Sequence, residues 1–306
     1  MRLLTRLCRS KTWDGVNDWA DGLQCSARPV SSTTHSEKNM KKIIASLLFA
    51  VAANSAVADP IADAVAHPDR PLEQRMRDEY RHPQQTLRFF DIQPDMAVVE
   101  IWPGGGWYAN ILAPLLQEKG KYYAAHFYID EETKDYYRKA REKFAEKVKN
   151  HPPYKNVELT SFHPLKNDQK IAPDNSVDRI LTFRNVHNWY MYNNEEGLNG
   201  AFKQFFAALK SGGQLGIVEH RLPENANDAD QQRSGYMKQS YIIQLAEKAG
   251  FKLVASSEIN ANLKDTAQHP KGVWTLPPRL ALGEEKEAEY LAIGESDRMT
   301  LKFIKP

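Results

Sequence analysis

Three short stretches of the chain carry residues whose types and order could do chemistry. The first is Trp102-Pro103-Gly104-Gly105-Gly106, set directly after the apolar run Met96 to Ile101, whose last two residues are Glu100-Ile101. A strand, a glycine turn and a helix in that order bring backbone N–H groups and a helix N-terminus to one point, and positions without side chains let a ligand approach closely. Three glycines in a row at such a junction predict a ligand site rather than an ordinary tight connection. The second stretch is Arg184-Asn185-Val186-His187-Asn188-Trp189-Tyr190, donors and aromatics crowded behind another apolar run. His187 is the side chain there that accepts a proton near neutral pH, so it is the candidate general base; the plain alternative is a histidine that only hydrogen-bonds its own loop. Trp189 and Tyr190 are candidate walls of a substrate pocket, unless they are core. The third stretch, Glu219-His220-Arg221, falls on the same edge by topology and adds His220 as a weaker candidate.

Other chemistries lack their residues. The nine histidines are scattered and no His/Cys/Asp/Glu group has zinc spacing, so no metal is expected. The nucleophile elbow G-x-S-x-G is absent, which argues against an α/β-hydrolase. Gly104-x-Gly106-x-x-Ala109 does satisfy the dinucleotide fingerprint, which also requires an acid about 20 positions on to hold a ribose hydroxyl. Ala124, Ala125, His126 and Phe127 stand there instead.

These stretches need a frame, and the apolar pattern supplies one. Leu72 to Phe90 reads as a helix with Leu72, Met76, Tyr80, Leu87 and Phe90 on its apolar side, kinked or divided at Pro83. Met96 to Ile101, Tyr122 to Tyr128, Val157 to Phe162, Val177 to Phe183 and Gln214 to Val218 read as strands. Between them run helices through Ile111 to Leu116, through Glu131 to Lys149 with Tyr136, Ala140, Phe144 and Val148 inward, and through Leu198 to Leu209. Gly120 and Gly212-Gly213 stop the first and last of these. Such alternation implies parallel βαβ units with helices on both faces. The chain then changes character: a helix from Ser240 to Ala249 precedes two strands, Phe251 to Ile259 and Arg298 to Ile304, with no helix expected between them.

Glu100-x-x-x-Gly104-x-Gly106 resembles the first motif of class I S-adenosylmethionine-dependent methyltransferases. Asp174-Asn175-Ser176-Val177-Asp178-Arg179-Ile180 is similar to that family's approach to its fourth strand, and Leu209-Lys210-Ser211-Gly212-Gly213 to its approach to the fifth. The helix before the first strand and the closing antiparallel pair also match, so the likeness runs from about Leu72 to the C-terminus. More narrowly, the chain resembles exported bacterial predicted methyltransferases. The resemblance implies an α/β, Rossmann-like, doubly wound, mostly parallel seven-stranded sheet with an antiparallel edge strand, and S-adenosylmethionine as cofactor. It places Glu100, Trp102, Gly104, Gly105 and Gly106 at the cofactor, with Arg184 and Asn185 orienting its amino-acid end. His126, with Asp130 the nearest acid, occupies the family's ribose position after strand two. Two departures stand out: Trp102 replaces the family's first loop glycine, with Pro103 fixing the next φ, and the ribose carboxylate is missing.

From Met40 the sequence MKKIIASLLFAVAANSAVADP has a positive start, an apolar run and a small-x-small site at Ala56-Val57-Ala58. These are the three parts of a secretory signal, so residues 40–58 are expected to be removed and the product to be periplasmic or secreted. Met40 is then the expected initiator, with residues 1–39 an untranslated or disordered leader and 59–306 one domain. The apolar run falls short of the roughly 20 residues a stable anchor needs. Residues 1–58 carry eight Lys/Arg and four Asp/Glu, so of the formal +2 the remainder holds −2. A nearly neutral domain gives no electrostatic case for nucleic acid, leaving a small molecule as the expected partner. Both cysteines, Cys8 and Cys25, lie in the leader, so the domain can form no disulfide. Two further readings stay open: a non-catalytic exported ligand-binding protein on the same scaffold, and a nicotinamide-dependent oxidoreductase.

Overall fold

The structure, a computed structural model, describes residues 59–306; the expected leader and signal segment lie outside the described residues. The domain opens with four short helices, α1 (Pro60–Val65), α2 (Leu72–Arg75), α3 (Asp78–Arg81) and α4 (Pro83–Phe89). The single divided helix expected over 72–90 is therefore three pieces. Pro83 bars a helical conformation at His82, which turns left-handed at φ 39°, and a second break falls at Met76–Arg77. The expected inward face is also wrong in its first half. Leu72 and Met76 are exposed, at 63% and 66%, whereas Leu87 and Phe90 are buried. α2 and α3 instead turn Gln74, Arg77 and Arg81 toward the body of the protein, because the surface beneath them is a polar cavity rather than core.

Strand β1 (Ala97–Ile101) leads through the glycine turn into α5 (Ala109–Leu116), followed by β2 (Lys121–Phe127), α6 (Asp135–Asn150), β3 (Val157–Phe162) and β4 (Val177–Phe183). α6 starts four residues later than its charge pattern suggested; Phe144 is its buried side chain, and Tyr136, expected inward, is exposed. Next come α7 (Val186–Ala208), β5 (Leu209–Leu222), the two-residue β6 (Met237–Lys238), α8 (Gln239–Lys248), β7 (Lys252–Ser257), α9 (Glu287–Ile293) and β8 (Arg298–Ile304). α9 and a short 3-10 turn at Gly272–Thr275 occupy the β7–β8 connection, where no helix was expected. α7 begins at Val186, so most of the expected polar loop 184–190 is its first turn, and the helix kinks at Asn194.

The main sheet runs β3-β2-β1-β4-β5-β8-β7, with β6 paired to β5 beside it. All pairs from β3 to β5 are parallel, and β8 is antiparallel to both neighbours, so the expected mostly parallel seven-stranded sheet with an antiparallel edge is present. Alternate residues of each strand face opposite layers. Val99, Ile101 and Ile180 pack under Phe202 and Phe205 of α7, whereas Val98 and Leu181 pack under Ile111 and Leu112 of α5. Each such fully buried side chain contributes about 1.5–3 kcal/mol, so both layers hold the sheet rigidly. Strand order reverses between β1 and β4, with Ile101 beside Thr182. At that reversal the chains leave the sheet in opposite directions and open a crevice at its carboxyl edge, where ligands bind in such folds.

Candidate functional site

A cavity of about 720 Å³ occupies that crevice, a size typical of small-molecule sites. Its walls include Glu100, Trp102, Gly104 and Gly105 from the β1 side, Arg184, Asn185, His187 and Asn188 from the β4 side, and His220 from β5. Two non-glycine residues flank it in the left-handed region. Trp102 (φ 49°) and Arg184 (φ 61°) are the first residues beyond β1 and β4. Such a conformation costs an L-residue about 1–2 kcal/mol and persists where the surroundings over-determine it, commonly at functional sites.

The glycine turn keeps its expected backbone despite the missing first glycine. Trp102 adopts a glycine-like angle, its N–H donates to the carbonyl of Ala125 (2.8 Å), and its indole N–H donates to that of Phe162 (3.0 Å). Its ring packs edge-on against Phe162 and Trp189, so the bulk is absorbed by the core side of the turn. Gly104 and Gly105 face open space, with no atom within 4 Å of where a Cβ would stand, and Gly104 has φ 57°. Gly106 has another job: a Cβ there would meet Phe144 at 3.2 Å, so it lets α6 approach the turn. Glu100 is buried, accepts a 2.5 Å hydrogen bond from the Tyr122 hydroxyl, and is pushed up to about 7 by burial, against the pull of Tyr122 and Lys147.

The two residues at the expected ribose position behave differently from expectation. His126 is fully buried and does not reach the cavity: Nδ1 accepts from the Phe127 N–H (2.8 Å), which leaves Nε2 protonated to donate to the Gly104 carbonyl (3.1 Å). Burial, aided by Arg141, pushes it down to about 4, so it is a neutral clamp on the glycine turn. Asp130 lies instead on a second cavity of about 370 Å³, which shares Trp102 and Phe127 as a common wall with the first. Its carboxylate pairs with Lys166 and accepts from Thr133, and these hold it at about 2.

On the opposite side, Asn185 donates to the carbonyl of Ile101 (2.9 Å) and so ties the end of β4 to the end of β1. Trp189 and Tyr190 do not line the cavity. The early start of α7 rotates Trp189 into the core, where it is wholly buried, and sets Tyr190 edge-on to Tyr241. That same rotation turns His187 and Asn188 to the cavity.

His187 is joined there by a partner on β5. Its Nδ1 lies 2.8 Å from Oε1 of Glu219; a carboxylate accepts, so Nδ1 carries the proton and Nε2 is left free to accept one. Glu219, wholly buried, also accepts from the backbone N–H groups of His187 (3.2 Å) and His220 (2.8 Å). His220 Nδ1 meets the Ser296 hydroxyl at 2.5 Å, and burial, reinforced by His187 and the nearby arginines, holds that ring well below the usual histidine range. One ligand atom from each of His187, Glu219 and His220 falls within 4.8 Å of the others, the spacing of a metal-binding trio that no sequence motif announced.

Sequence reasoning missed the rest of the wall. Arg77 and Arg81 enter from α2–α3 and Arg298 from β8, gathered around Glu295, while Trp274 and Arg279 enter from the β7–β8 connection. The i,i+4 spacing of Arg77 and Arg81 was visible, but Leu72 and Met76, apolar yet exposed just before them, concealed which way they point.

No protein-family model and no curated protein sequence matches this chain. Solved structures do. The cyclase SpnF aligns over 81% of this chain and 92% of its own, at 14% identity and a TM-score of 0.51. A SAM-dependent methyltransferase from Aquifex aeolicus aligns over 81% and 100%, at 18% identity and TM-score 0.49. Geranyl diphosphate methyltransferase, solved with SAM, aligns over 80% and 95%, at 12% identity and TM-score 0.48. The fold is thus Rossmann-like, an architecture this chain shares with SpnF.

Proposed function

We propose that this protein is an S-adenosylmethionine-dependent methyltransferase acting on a small molecule. The observation that carries the reading is the open backbone at Gly104 and Gly105, beside a cavity at the strand-order reversal and below a histidine–carboxylate pair. Bound there, the cofactor would supply an electrophilic methyl group, leaving the S–C electron pair on sulfur. Gly104, Gly105 and the Asn185 side chain would hold its amino-acid end. The second cavity, with Tyr128, Asp130 and Tyr137, would take its nucleoside end. His187 would accept the acceptor's proton at Nε2, and Glu219 would orient the ring and stabilise its charged form; positioned proton transfer of this kind contributes about 10²–10⁴-fold. We read His187, Glu219 and His220 as a base with its supports, because Glu219 already accepts three N–H groups and the surrounding arginines oppose a cation.

A second reading, a non-catalytic ligand binder on this scaffold, is favoured by one feature: Trp102 and Phe127 wall off the two cavities that the cofactor would span. Calorimetry with S-adenosylmethionine, S-adenosylhomocysteine and NAD separates the readings. Binding of the first two alone supports the enzyme, and silence from all three supports the binder. NAD is disfavoured because His126, at the ribose position, is committed to the glycine turn.

We further propose that the protein is exported, with cleavage after Ala58; a mature N-terminus away from Asp59 by terminal sequencing would overturn this. Among the described residues no helix is long and apolar enough to cross a membrane.

A further inference from the structure

Charge in the main cavity is out of balance on one side. Arg77, Arg81 and Arg298 all pair with the single carboxylate of Glu295. Arg184 stands close enough to depress Arg81 and to be depressed by Arg298, yet its side chain makes no hydrogen bond among the described residues. Burial first, then Arg298, brings Arg184 down to about 10. Burial alone would raise Glu295, but Arg298, Arg81, Arg184 and Arg77 together hold it well below the usual carboxylate range. At the mouth the exposed Glu73 and Arg279 offset one another; Glu100 lies on the opposite wall and Glu219 is engaged by His187, so on this side four guanidinium groups gather around the carboxylate of Glu295.

Their donors are also unspent. Nη2 of Arg77, Nη2 of Arg81 and Nε of Arg298 are buried without a hydrogen-bond partner, and Arg81 and Arg298 are only 3% and 2% exposed. A buried unpaired donor costs about 1–3 kcal/mol, more when charged, so an acceptor drawn in among these cavity-lining side chains would relieve a cost the protein leaves standing. Planar guanidinium groups match the oxygens of carboxylate and phosphate two at a time. The cluster also adjoins the proposed base: Arg298 is the cross-strand neighbour of His220, and Arg184 precedes His187 by three residues.

We propose that the methyl acceptor is an oxyanion, a small molecule whose phosphate or carboxylate group is clamped by Arg77, Arg81, Arg184 and Arg298 beside His187; this rests on the methyltransferase reading. The amino-acid end of the cofactor is the other oxyanion that could reach these groups. It brings an ammonium with its carboxylate and so leaves the excess positive charge standing, whereas an anionic acceptor cancels it.

The test is calorimetry with inorganic pyrophosphate and with malonate, each titrated into the full protein saturated with S-adenosylhomocysteine. At least one binds, and Arg184→Gln, which breaks no hydrogen bond within the protein, weakens it by about tenfold or more and weakens S-adenosylhomocysteine far less, whereas the family resemblance, which gives Arg184 to the cofactor's amino-acid end, expects both to weaken equally. Arg77→Gln gives the same pattern and guards against a local effect at Arg184. The proposal is overturned if neither anion binds. It is equally overturned if the anions displace S-adenosylhomocysteine and Arg184→Gln weakens both, for then the arginines serve the cofactor's own carboxylate. If S-adenosylhomocysteine is silent but an Arg184-dependent anion still binds, the clamp stands and the methyltransferase reading is what fails.

Discussion

The two sides of the cavity are built on opposite principles. On the β1–β2 side nearly every polar group is satisfied within the protein: Glu100 by Tyr122, His126 by two backbone groups, the Trp102 indole by Phe162. What that side offers a ligand is shape, two glycines with nothing above them. On the α3–β4–β8 side four arginines surround one glutamate, and several of their donors have no partner. What that side offers is charge. A satisfied surface recognises a ligand by fit and tolerates a neutral one, whereas an unsatisfied surface demands a ligand that completes it. On the function proposed above, the contrast separates the part that would hold the cofactor from the part that would select the acceptor.

The sharpest way to break this contrast is Glu295→Gln. With its carboxylate gone, the buried guanidinium groups of Arg81 and Arg298 and the half-buried one of Arg77 lose the counter-charge they share, and chemical denaturation should show a loss of about 3–5 kcal/mol. The pH dependence has a definite sign. The folded pKa of Glu295 lies below its unfolded value, so its stabilisation is complete above the unfolded carboxylate range and is lost as pH falls through the folded value. The wild type should therefore lose stability on acidification more steeply than the variant.

His187→Ala should lower the rate of methyl transfer to an oxyanion acceptor by about 10²–10⁴-fold and leave S-adenosylhomocysteine affinity unchanged in calorimetry. A fully active variant would remove His187 as the base. On the satisfied side, Gly105→Val should weaken S-adenosylhomocysteine binding by about a hundredfold while shifting stability by less than about 0.5 kcal/mol, because no atom stands within 4 Å of the new Cβ. Unchanged affinity there would mean that the open backbone holds nothing. Glu100→Gln gives the smallest effect. The Glu100 pKa is raised to about 7, so the wild type should lose stability as pH climbs from its unfolded value toward 7, on the order of 2 kcal/mol, and the variant should lose that slope.

Particular elements show why some of this was legible in the sequence and some was not. Val157–Phe162, Val177–Phe183 and Arg298–Ile304 fall where the sequence placed them, because each is a short stretch of mostly β-branched, aromatic and aliphatic residues interleaved with polar ones, a local pattern that suits a pleated strand. The glycine turn was legible for the same kind of reason: side-chain-free positions after a strand have few other uses. Leu72 and Met76 misled because helical periodicity marks an apolar face without saying what lies beneath it, and here the protein turns the polar face inward. Trp189 and Tyr190 misled because a shift in where a helix begins changes which side chains face the ligand. Arg184, Asn185, His187 and Asn188 of loop 184–190 line the cavity, and the first turn of α7 brings His187 and Asn188 there rather than the two aromatics.

Taken alone, the sequence determined the order of strands and helices, the glycine turn and the candidacy of His187. These depend on residues close together in the chain, whose period and composition act locally. Only the tertiary structure decided that Glu219 orients His187 across 32 residues, that His126 clamps the turn instead of lining the cavity, and that Arg77, Arg81 and Arg298 meet around Glu295. Such convergence has no local signature, because it arises from strand order and layer packing, which bring α3 and β8 together from distant parts of the chain.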